Sequence, residues 1–78
     1  MVRIPPMKEI VRRYVKGSLE AFLEGKKSLN WIMGVIGQSG ALQHKEMLRE
    51  IFNDLRGYEK LPRYQEILKE CKRQKWLW

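Results

Sequence analysis

From Met7 onward, apolar residues return every three or four positions. Met7, Ile10, Val11, Tyr14, Val15, Leu19, Phe22 and Leu23 make one wide stripe on a helix, with Arg12, Arg13 and Lys16 opposite. Pro6 suits a first helical position, where its missing N–H costs nothing, and Gly25 can stop the chain's first helix, so the spacing predicts a helix over 6–24. Gly17 lies inside this helix and implies either a close helix contact or a break; the expectation is a continuous helix. Ser28 can cap a second, short helix over 29–36, in which Leu29, Trp31, Ile32, Met33, Val35 and Ile36 leave only the Asn30/Gly34 side non-apolar. That helix should be central and buried on most sides. Ser39 as N-cap and Gly57 as a left-handed stop bracket a third helix from 40 or 41 to 56, with Ala41, His44, Leu48, Ile51, Phe52 and Leu55 facing the core. Pro62 opens a fourth, whose stripe is Tyr64, Ile67, Leu68 and Cys71. No segment alternates with period two. The expected architecture is therefore all-α: one compact, four-helix bundle-like domain over 1–78 with a short central helix 2.

A chain of 78 residues buries only about 60% of the surface its unfolded form exposes, so it holds one core. Small cores are often supplemented by disulfides, a metal or a partner chain. Cys71 is the only cysteine and His44 the only histidine, which rules out an intramolecular disulfide and cannot fill a tetrahedral zinc site. Self-association is the remaining supplement, and the apolar second helix together with Trp76 and Trp78 predicts a homo-oligomer. The most apolar stretch, 29–36, is far shorter than the roughly 20 residues of a membrane span, and the first residues lack the apolar core of a signal peptide. A cytoplasmic, reducing setting is expected.

Catalysis is not expected. His44 sits on a core face, and no serine or cysteine has a paired base at readable spacing. A phosphate-binding P-loop fails because Ala41 and Leu42 stand where Lys and Ser/Thr are required. No cofactor motif is present.

The net charge is +7, with the excess at both ends: residues 1–28 carry seven Lys/Arg against three Glu, residues 29–57 three against three, and residues 58–78 six against three. Such charge favours phosphate backbones, anionic lipid or acidic proteins. Between the second and third helices lies Gly37-Gln38-Ser39-Gly40. Backbone N–H groups at a helix start attract phosphate, and glycines allow close approach. This turn resembles the helix–GXXG–helix element of KH-type RNA-binding domains, which implies a loop clamping nucleotide backbone. The resemblance is confined to the turn and its flanks. A KH domain also carries a three-stranded sheet, which no segment here suggests, and Gln43 stands where that pattern has an apolar residue. An ordinary cap-to-cap turn is the plainer alternative. Read as a helix-turn-helix, the same segment puts Gln43 and Lys45 at the start of a recognition helix, where Gln43 could bond adenine. That helix is neutral, Glu46, Glu50 and Asp54 offsetting Lys45, Arg49 and Arg56. At the other end, a helix continued to the C-terminus would set Trp76 among Lys69, Lys72 and Arg73. If the helix instead ends near Gln74, the tryptophans fold back onto the core.

Two functions follow as expectations. The first is non-catalytic binding of DNA or RNA. Arg12, Arg13, Lys16, Lys26, Lys27, Lys69, Lys72 and Arg73 would then position phosphates, Gly37, Gln38, Ser39, Gly40, Gln43 and Lys45 would make closer contacts, and Trp76 would stack. The alternative is a small interaction or scaffolding subunit that homo-oligomerises or docks on an acidic protein partner.

Overall fold

Capping chemistry sets the helix ends. In the computed structural model, which describes residues 6–44 and 46–77, the four α-helices are α1 (Met7–Leu23), α2 (Leu29–Gln38), α3 (Met47–Asp54) and α4 (Pro62–Arg73). Both α1 and α4 end in the same left-handed device. Past α1, Gly25 takes φ 85°, its N–H donating to Phe22 O and that of Lys26 to Ala21 O. Past α4, Lys75 takes φ 63°, its N–H donating to Lys72 O and that of Trp76 to Cys71 O. These paired bonds satisfy carbonyls that a helix end otherwise leaves open. Ser28 Oγ accepts from Trp31 N–H at 3.2 Å and starts α2. Helix α1 runs unbroken through Gly17, where an added Cβ would meet nothing within 4 Å. The glycine costs that helix about 1 kcal/mol relative to alanine and serves no contact among the described residues.

The third helix is shorter than its pattern predicts. Gly40, at φ 87°, leads into a 3-10 turn over Ala41–Gln43, and His44 is extended at φ −115°, ψ 101°. Helix α3 begins only at Met47. A continuous helix would turn Met47 about 90° from the centre of the Ala41/Leu48/Ile51/Leu55 stripe. The break lets Ala41 and Met47 both be buried, at 1% exposure each, while His44 lies half-buried in the break rather than on a helix face. At the other end α3 gives way to a second 3-10 turn, Arg56–Tyr58. Gly57 lies within that turn and not in the left-handed region. Pro62 stands at the first position of α4, as expected.

The core is assembled from Val15, Leu19 and Phe22 of α1, Ile32 and Ile36 of α2, Leu48 and Ile51 of α3, and Ile67 and Cys71 of α4. Tyr64 packs edge-on against Phe52 with centroids 5.7 Å apart and donates its hydroxyl to Phe52 O at 3.1 Å. The result is an all-α, compact, four-helix bundle-like fold, with no strand among the described residues. Helix α2 is less enclosed than its composition predicts. Only Ile32 and Ile36 are fully buried, and Trp31 is 36% exposed. Its inner face packs on α1 and the first 3-10 turn, Leu29, Met33 and Val35 are half-buried, and Asn30, Trp31 and Gln38 are left exposed.

Helix lengths are unequal. The 17 residues of α1 and the 10 of α2 extend about 25 and 15 Å at 1.5 Å per residue. Because the short connection at 24–28 makes the two an antiparallel hairpin, about 10 Å of α1 at its N-terminal end has no α2 beside it. The molecule measures 43 × 24 × 21 Å along its principal axes. Among the described residues, no helix is long and apolar enough to cross a membrane.

Candidate functional site

The glycine turn is folded largely on its own backbone. Gly37 and Gln38 belong to the last turn of α2, and Ser39 N–H donates to Val35 O at 2.9 Å. Ser39 Oγ donates to Ile36 O and accepts from Ala41 N–H, and Gln43 N–H donates to Gly40 O. The N–H groups of Ser39, Ala41 and Gln43 are thus spent inside the turn. A Cβ at Gly37 would lie 3.8 Å from the Trp76 ring, so that face is occupied by the chain's own C-terminal segment. Nor does a recognition helix follow directly. Gln43, though exposed, is in the 3-10 turn ahead of the extended His44, so it is not in the first turn of α3. Lys45 lies outside the described residues, as does Trp78.

Trp76 takes the folded-back course. With α4 ending at Arg73, its indole is half-buried and packs against the core, away from any continuation of the basic helix face.

The candidate cations divide by what holds them. Arg12 is engaged on both sides: Nη1 donates to Glu50 Oε2 at 2.8 Å and Nη2 to Asp54 Oδ2 at 2.7 Å, tying α1 to α3. Its hydrogen bond with Asp54 holds the Asp54 carboxyl below the usual range and raises the guanidinium above its own. Arg13 pairs with Glu9, Lys26 with Glu24 and Arg73 with Glu70, and hydrogen bonding to Glu70 raises the Arg73 pKa. Lys27 Nζ lies 5.1 Å from the centre of the Trp31 ring, a cation–π contact. Lys8, Arg12, Arg13 and Lys16 border one shallow depression, but Glu9 and Asp54 share it. Lys69 and Lys72 line another with Gln65 and Leu68, and neither has a carboxylate partner among the described residues.

Cys71 is fully buried, and burial pushes its thiol up to about 12. It stays protonated at neutral pH, the opposite of what a nucleophile needs. Among the described residues no three His, Cys, Asp or Glu side chains are grouped to hold a metal.

A different surface stands out. Met7 is 72% exposed and Ile10 44%, along the part of α1 that outruns α2, and Tyr14, level with the end of α2, is 55% exposed. Tyr14 continues onto α2 across a groove walled by Trp31, Gly34, Val35 and Gln38. The periodic pattern assigns Met7, Ile10 and Tyr14 to the core stripe. The structure buries Val15, Leu19 and Phe22 from that stripe and leaves these three outside. The length mismatch between the first two helices is the signal that could have separated Met7 and Ile10; Tyr14, beside α2, carries none. No family model matches this chain, and neither does any curated protein or solved structure compared with it.

Proposed function

We propose that this chain is a non-catalytic docking subunit that engages another polypeptide through the apolar face of Met7, Ile10, Tyr14 and Trp31. One observation carries the reading: three large apolar side chains stand in water along a single line of α1, and the line leads into the Trp31 groove. Exposed apolar side chains scattered singly, as Leu42 and Leu61 are, need no explanation, whereas a contiguous set on one face marks a contact surface. Tyr and Trp also suit such anchors, since each presents a large ring with a polar tip. A photo-crosslinking residue in place of Tyr14, with the same residue in place of exposed Glu66 on α4 as control, tests it in the protein's own cells. Adducts to a polypeptide are expected from position 14 and not from 66. No adduct from 14, or equal labelling from both, would overturn the reading.

Nucleic-acid binding is a second reading, favoured by Lys69 and Lys72, exposed and unpaired among the described residues on one face of α4, in a chain of net charge +7. The affinity for mixed DNA and RNA should then fall steeply with salt, by about 0.9 log units per log unit of salt for each phosphate contact on duplex DNA. Replacing Lys69, Lys72 and Arg73 together with Ala should flatten that slope. Absence of binding at low salt, where cationic surfaces bind most readily, refutes this reading.

A further inference from the structure

Met7, Ile10, Tyr14, Gly17 and Ala21 succeed one another along α1 at alternating steps of three and four, the seven-residue repeat by which two helices pair along a seam. The first three are exposed and large, whereas Gly17 is a notch that the chain's own packing leaves open. We infer that this line is the contact between two copies of the chain, paired antiparallel along α1 so that Tyr14 of each copy lies over Gly17 of the other. The inference rests on the docking reading and names the partner.

Size and charge both select this occupant. In the proposed register each exposed Tyr14 ring meets the notch, and each Ile10 meets a small Ala21. Arg13 and Glu20 occupy equivalent positions of successive repeats and border the seam on one side. Antiparallel pairing brings Arg13 of each copy beside Glu20 of the other, giving two opposed pairs, whereas parallel pairing in register would face each Arg13 with Ser18 of the other copy and give none. Arg13 now bonds Glu9 on the surface, with its side chain 71% exposed, a pair of the kind that yields at small cost. Glu20 has no ion partner among the described residues. A polyanion on this border would meet Glu9, Glu20 and Glu24, so mixed charge points to a second copy. One helix pair buries less than the roughly 1,000 Å² of a strong interface, and a dissociation constant of roughly micromolar or weaker is expected.

Sedimentation equilibrium of the full chain from low to high micromolar concentration tests the pairing. A monomer–dimer equilibrium is expected. Arg13→Glu and Glu20→Arg should each weaken it by about tenfold, and the double reversal should restore it. Gly17→Leu should abolish the dimer with the helical circular dichroism unchanged. A monomer at every concentration, a dimer indifferent to these changes, or a double reversal that fails to restore it overturns the inference. If position 14 nevertheless crosslinks to a different polypeptide, docking stands and self-pairing alone is refuted; with no adduct at all, both fall.

Discussion

Phe22→Ala is expected to destabilise the fold by about 3–5 kcal/mol, the usual range for emptying a buried aromatic site. A chain of this length has only about 0.05–0.15 kcal/mol of stability per residue to draw on, so the variant should be substantially unfolded at physiological temperature. The effect is large because Phe22 is both filler and platform. Its side chain is fully buried, the Arg63 guanidinium lies 4.8 Å from its ring centre, and Arg63 Nη1 donates to the carbonyls of Phe22 and Lys27 at 3.0 Å each. Losing the ring opens a cavity and removes the surface on which Arg63 rests. Urea denaturation measures the loss. Phe22→Leu, which keeps most of the volume, should recover the greater part of it. Equal midpoints for wild type and the alanine variant would show that this part of the core is misplaced.

Alkaline solution should weaken the fold by a comparable amount. The Cys71 thiol is raised by burial from 9.0 to about 12, and burial likewise raises the Tyr64 phenol, whose hydroxyl donates to Phe52 O. Both groups hold their protons more tightly folded than unfolded. Between the two Cys71 values the unfolded chain therefore binds fewer protons, and stability declines as pH rises. Below the unfolded value the contribution is fully present; by about pH 12 the thiol alone accounts for a loss of up to about 4 kcal/mol. Urea midpoints from about pH 8 to about pH 11 should fall for the wild type and fall less for Cys71→Ala. Parallel slopes for the two proteins would refute the assignment to Cys71. The acid side carries the reverse sign, since Asp54 is held below its ordinary range by Arg12, and the stability it lends is lost as pH falls through that lowered value.

Three helices were legible because their ends are written in residues with one clear physical use: Ser28 to accept an orphan N–H, Gly25 to go left-handed, Pro62 to begin without a donor. The third helix was not. Its stripe from Ala41 to Leu55 is periodic enough to read as continuous, and the break at His44 becomes apparent only when the burial of Met47 is known. Gly57 misled for a related reason, since a glycine permits a left-handed stop without requiring one, and the chain turned there through a 3-10 segment instead. At the C-terminus the left-handed residue is Lys75, a type that gives no warning of it. The candidate surfaces were less legible still. Periodicity shows which side of α1 is apolar but not how far α2 reaches along it, and charge counts Arg12 as a free cation when two carboxylates of α3 already hold it.

Arg63 also bears on the order in which the chain comes together and apart. The carbonyls it holds lie 41 and 36 residues earlier, whereas α1 and α2 meet across a connection of a few residues. Closing a long loop costs more chain entropy than closing a short one, so the hairpin of α1 and α2 is expected to form early and α4 to seat on it late. Contacts made after the folding barrier govern the rate of opening more than the rate of closing. Arg63→Ala is accordingly expected to speed unfolding more than it slows folding, which stopped-flow measurements in urea would show.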